Sequence, residues 1–139
     1  LQAFRDAHAS DPLVTDKWIA LLATRPDPEA LDDVQALMAT PWWKPANPNR
    51  VRAVLGNFQR GNPRAFHRAD GEGFRLVAHQ VPGLDATNPQ VAARLLGGFE
   101  GWRRLHAPLR AVAQATLAAL EGQLHSPDCR DLLARLRAD

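Results

Sequence analysis

Asn88-Pro89-Gln90-Val91-Ala92-Ala93-Arg94-Leu95 reads as the first two turns of a helix. The short polar side chain of Asn88 can accept a bond from a backbone N–H that the first turn leaves unpaired. Proline at the first helical position loses nothing, because its missing N–H would have had no partner. The same pairing of a capping residue with proline stands at Asp11-Pro12, Asp27-Pro28, Asn47-Pro48, Asn62-Pro63 and Ser126-Pro127. Six such helix starts in 139 residues, each followed by apolar residues at helical spacing, predict an all-α fold.

Outward from that stretch the segments agree. Leu13, Trp18, Leu21 and Leu22 form the predicted core stripe of a helix that ends before Pro26, and Leu31, Val34, Leu37 and Met38 that of the next. Pro41 and Pro45 hold Trp42-Trp43 in a loop. A helix from Pro48 to about Gln59 is expected to bury Val51, Val54, Leu55 and Phe58. Asp70-Gly71-Glu72-Gly73 reads as a turn. The run Phe74, Leu76, Val77, Val81 alternates enough to fit a strand, but with no second strand to pair with it is read as helix. Two helices are expected over about 89–105 and 107–122, and a last one from Pro127 that turns Leu132, Leu133 and Leu136 inward.

Short connections between helices force antiparallel neighbours. The expected architecture is therefore a single all-helical domain over 1–139, built of antiparallel helix pairs in an α-solenoid of the HEAT or armadillo kind. Leu1-Gln2-Ala3-Phe4 reads as the interior of a helix, with no initiator methionine and no secretory pattern through His8. The expectation is the C-terminal part of a larger helical domain.

Hydrophobic residues make up 45% of the chain and charged residues 23%, the balance of a globular domain. No apolar run approaches the ~18 residues of a membrane span, so no membrane partner is expected. Seventeen basic residues stand against fifteen acidic ones, a net charge of +2, which is not the footprint of a nucleic-acid binder. Arg50, Arg52, Arg60, Arg64 and Arg68 form the densest basic stretch, but Arg50 and Arg52 are two apart on a helix and point in different directions. Cys129 is the only cysteine, which excludes an internal disulfide and reads as an inert, partly buried residue of a reducing, cytoplasmic setting.

Catalytic signatures are missing. His8, His67, His79, His106 and His125 are too far apart to share a helix face around a metal, and there is no His-Glu-x-x-His, nucleophile elbow or phosphate loop. Asp70-Gly71-Glu72-Gly73 lacks the ligand spacing of a calcium loop. In the stretch that opens at Asn88, Val91, Leu95, Phe99 and Trp102 form an apolar arc, while Gln90, Arg94, Gly97 and Gly101 gather on nearly the opposite face. That face reads either as a solvent face with tolerated glycines, which the residues alone favour, or as the lining of a cavity in which glycines make room.

Several motifs occur in order: Asp16-Lys17-Trp18, Asn47-Pro48-Asn49-Arg50-Val51-Arg52, Phe66-His67 with Asp70-Gly71-Glu72-Gly73-Phe74, and Asn88-Pro89-Gln90-Val91-Ala92-Ala93-Arg94-Leu95. Together they resemble the C-terminal helical domain of bacterial aminopeptidase N, the zinc-dependent alanyl aminopeptidases of the gluzincin clan, from about Leu13 to Leu136. Phe74, where tyrosine is expected, and Thr15 before Asp16 depart from the pattern; the phenylalanine forgoes a hydroxyl hydrogen bond.

The resemblance implies a non-catalytic domain of an enzyme that removes N-terminal amino acids from peptides. Zinc, its His-Glu-x-x-His site and downstream Glu ligand, and the Gly-x-Met-Glu-Asn motif belong to the catalytic domain of such enzymes, so no cofactor is expected in this chain. The implied partners are that catalytic domain, within the same polypeptide, and the peptide substrate. The helical superhelix is implied to close the active site into a chamber, with Gln90 and Arg94 near the pocket for the first side chain and Arg52 facing the same space. The competing reading of the solenoid is a free-standing scaffold that binds a protein along its concave face.

Overall fold

The computed structural model describes residues 11–138. The reading of Leu1–Phe4 as helix interior lies outside the described residues. Among the described residues there is no strand. In chain order the helices are α1 (Pro12–Thr24), α2 (Ala30–Met38), α3 (Pro48–Val51), a π-helical turn (Arg52–Gly56), α4 (Asn57–Gly61), α5 (Pro63–Phe66), α6 (Glu72–Thr87), α7 (Pro89–Gly97), a 3-10 turn (Trp102–Arg104), α8 (Ala107–Ala119) and α9 (Pro127–Arg137).

Five of the six predicted caps form. Asp11 accepts from the N–H of Leu13 at 3.1 Å, Asn47 from Asn49 at 3.0 Å, Asn62 from Ala65 at 3.3 Å, Asn88 from Val91 at 3.2 Å and Ser126 from Cys129 at 3.1 Å. Asp27 is different. Its carboxylate accepts from the Glu29 N–H at 2.9 Å and makes a separate turn, so that α2 starts two residues later than the Asp27-Pro28 pair suggests.

α1 and α2 pack together, α1 also lies against the π turn and α4, and α7 packs between α6 and α9. The core runs through all of them, from Ile19, Leu31 and Val34 by way of Val54, Leu55 and Phe58 to Leu96, Leu117 and Leu133. Phe66 anchors its centre. Its ring meets Phe74 edge-on at 4.9 Å, Phe99 at 5.6 Å and Phe58 at 6.3 Å, the offset geometry aromatic quadrupoles favour.

Three expectations change. The α1 stripe is half right: Trp18 is buried and Leu22 packs against the core, but Leu13 and Leu21 are 73% and 74% exposed, and Thr15, Ile19 and Ala23 are buried instead. The helix expected over 89–105 stops at Gly97, because Gly101 takes a left-handed φ of 85° and the chain turns into the 3-10 segment. Phe99 and Trp102 are buried all the same, beyond the helix rather than along it, and the Trp102 indole donates to the Leu136 carbonyl at 2.9 Å. The third is the π turn inside the helix expected from Pro48. The ambiguous 74–81 run is helix, and α6 continues through Pro82 because its face of Phe74, Val77, Val81 and Leu84 is buried on either side of the proline.

Candidate functional site

The three residues singled out from the sequence meet. Arg52 from the π turn, with Gln90 and Arg94 from α7, lines one groove of about 410 Å³ together with Gly56, Asn57 and Arg60. Its walls are the π turn with α4 on one side and the first two turns of α7 on the other. Gln90 and Arg94 are exposed and one helical turn apart, so both side chains stand on the groove side while Val91 and Leu95 turn toward the core. Gln90 and Arg94 thus line the groove while staying exposed to solvent, and Gly97 is not among the lining residues. Gly101 lies outside the helix and does not share that face.

Arg60 was missed as a groove residue, and the π turn explains why. Eight residues of unbroken α-helix would separate Arg52 and Arg60 by about 80°, whereas the extra residue of a π turn reduces this to about 20°. Arg52 and Arg60 thereby share one face, with Gly56 between them. A Cβ at Gly56 would meet only the Arg52 Cβ, at 3.7 Å, so the glycine keeps the groove floor low. The usable signal in the sequence was the four-residue spacing of Arg52, Gly56 and Arg60.

Charge in the groove is one-sided: three guanidiniums and no carboxylate among the lining residues. Arg52 is steadied by the Asn49 amide oxygen at 3.0 Å, and Arg60 donates to the Arg94 carbonyl at 2.8 Å. The groove also receives the N-terminal end of α7, the positive end of the helix dipole. Such a surface suits an anionic or strongly hydrogen-bonding group of a small molecule or peptide. Among the described residues, no three His, Cys, Asp or Glu side chains gather as metal ligands.

A family described as "Domain of unknown function (DUF3458_C) ARM repeats" matches residues 1–138. The chain belongs to this family. It is 41% identical over 117 residues to the aminopeptidase N of Caulobacter vibrioides, which is 84% of the chain and 14% of that protein. Similarity to the aminopeptidase N of Escherichia coli is 35% over 122 residues, 88% of the chain and again 14% of the relative. Among solved structures, Legionella pneumophila aminopeptidase A in complex with aspartic acid superposes with a TM-score of 0.89 at 30% identity, covering 97% of this chain and 16% of that one. This DUF3458_C chain thus spans about one seventh of its curated relatives and is the C-terminal domain of such aminopeptidases, an ARM-repeat α-solenoid.

The remaining motifs of the DUF3458_C domain hold its frame. Asp16 pairs with Arg50 at 2.7 Å, and Arg50, 2% exposed, also donates to the Trp42 carbonyl at 2.6 Å. This ties α1, the tryptophan loop and α3 together just ahead of Arg52. Asp70 grips Arg68 at 2.8 Å and accepts from the Glu72 N–H, so its carboxylate closes the turn before α6. With Arg50 and Arg68 engaged and Arg52 and Arg60 in the groove, the basic stretch forms no continuous patch. Cys129 is fully buried, and burial pushes its thiol up to about 11, in keeping with an inert residue.

Proposed function

We propose that this domain is the non-catalytic C-terminal part of a zinc aminopeptidase, one that removes N-terminal amino acids from peptides, and that it closes the active-site chamber. In this reading zinc and the catalytic groups reside in the catalytic domain of the same polypeptide, and the chain is the later part of a larger helical domain. Gln90, Arg94 and Arg52 form part of the wall that the substrate meets. A cytoplasmic setting belongs to the same proposal; no helix among the described residues is long and apolar enough to cross a membrane.

The observation that carries the reading is the convergence of Arg52, Gln90 and Arg94 on one open groove with no carboxylate in its lining. A wall of this kind selects by size, polarity and charge while a metal-bound water performs hydrolysis elsewhere. The aspartic acid bound by the Legionella aminopeptidase A, an anionic amino acid, is in keeping with a cationic wall.

The test is kinetic. In the full-length peptidase, Gln90→Ala and Arg94→Ala are expected to raise KM or to reorder substrate preference. Loss of one favourable contact to a hydrogen-bonding group predicts a change of about tenfold. The melting temperature should hardly move, since both side chains are exposed. Unchanged kinetics across neutral, basic and acidic substrates would remove these residues from the wall.

A further inference from the structure

The buried polar side chain of Gln59 is unexplained by the groove itself. It is 5% exposed, and its Oε1 has no hydrogen-bond partner. Leaving a buried carbonyl oxygen unpaired costs roughly 1–3 kcal/mol. The other end of the amide is engaged: Nε2 donates to the Leu95 carbonyl at 2.7 Å. The next residue, Arg60, donates to the carbonyl just before it, that of Arg94, at 2.8 Å. Two consecutive side chains of α4 therefore bind two consecutive carbonyls near the C-terminal end of α7, and the Leu95 carbonyl also accepts from the Gly98 N–H at 3.1 Å.

The fit is close on the far side as well. A Cβ built at Gly98 would overlap all three terminal atoms of the Gln59 amide. Glycine at 98 thus lets the amide lie against the backbone that leaves α7. The contact sits at the base of the same helix whose first two turns carry Gln90 and Arg94.

We propose that Gln59, seated on Gly98 and aided by Arg60, is a positioning residue: it fixes the spacing between α4 and α7, and so the width of the groove and its selectivity. The proposal rests on the reading of the groove as a substrate wall. Gln59 itself does not line the groove, so its influence passes through the placement of Gln90 and Arg94.

The experiment uses the full-length peptidase and the ratio of kcat/KM between an acidic and a neutral aminoacyl substrate. Arg94→Ala sets the scale of the response. Gln59→Met keeps the volume and removes the grip on the Leu95 carbonyl; it should shift the ratio in the same direction by about twofold or more, the lower end of coupling between residues in contact. Gln59→Met combined with Arg94→Ala should shift it no further than Arg94→Ala alone. Gly98→Ala should act like Gln59→Met by displacing the amide, and Gln59→Ala added to Gly98→Ala should recover the stability lost to the overlap without restoring the ratio.

A shift with Arg94→Ala but none with a folded Gln59→Met overturns the positioning role and leaves the wall standing. No shift with Arg94→Ala overturns the wall and the clamp together. Equal losses of kcat for both substrates, in step with a lowered melting temperature, would make Gln59 a packing residue and also overturn the proposal.

Discussion

Arg50 carries a charge into a site where almost none of it meets water. Its partners are Asp16 and the Trp42 carbonyl, and the three come from separate segments of the chain. A buried pair contributes little against an apolar replacement, but removing one partner strands the other. Asp16→Ala should therefore destabilise the fold by about 3 kcal/mol, the low end for such a loss because Asp16 keeps some contact with water. Arg50→Met combined with Asp16→Leu should cost less than Asp16→Ala alone. Urea unfolding of the three variants gives the comparison, and a more stable Asp16→Ala would contradict it. Asp16 is 34 residues from Arg50 along the chain, and only the packing of α1 against the π turn and α4 brings the two together.

Among the elements, α9 depends on a residue of another helix. Asp85, near the end of α6 and 3% exposed, accepts from the N–H of His125 at 2.6 Å and of Ser126 at 3.0 Å, at the entrance to α9. Burial pushes the Asp85 carboxyl up, but the Ser126 hydroxyl and those two N–H groups outweigh it and hold the carboxyl at about 2, well below the ordinary carboxylate value of 3.8. A lowered folded pKa means the unfolded chain takes up the proton first. The stabilisation is complete above about pH 4 and is lost as the pH falls through about 2, roughly 2 kcal/mol in all. Acid unfolding of wild type and Asp85→Asn should show it: the variant is expected to lack this part of the pH dependence below pH 4.

The same scale shows how far the chain can be read without coordinates. Helix starts were legible because a cap is a local event, settled between an Asn, Asp or Ser and an N–H two or three residues on. The inward face of α1 was legible only at Trp18 and Leu22, because Leu13 and Leu21 have the right chemistry for a core but lie on a side that the described elements do not cover. The π turn was invisible for a related reason: one inserted residue leaves Val51, Val54, Leu55 and Phe58 all buried, and alters only which polar side chains face the groove. Gln90, Arg94 and Arg52 were found by their motifs and came together in one groove, while Arg60 and Gln59 required the packing of α4 against α7.

For the whole molecule, the relevant question is how a domain spanning 14% of its relatives works with the rest. If it closes a chamber, it should dock when supplied separately. Expressing the remainder of the peptidase without this segment and adding the segment in trans is expected to yield a complex, with a gain in alanyl-substrate hydrolysis or sharper selectivity. Size-exclusion chromatography beside the activity assay reports both. No complex and no change would bring forward the free-standing scaffold reading of the solenoid.

The seat of Gln59 on Gly98 also bears on how this domain can diverge. A side chain gained at position 98 displaces the Gln59 amide, and a shorter one at 59 alone removes the side-chain bond to the Leu95 carbonyl and leaves a void beside the glycine. A change at either position alone thus disturbs the other, whereas the exposed side chains at 90 and 94 can be exchanged without touching this seat.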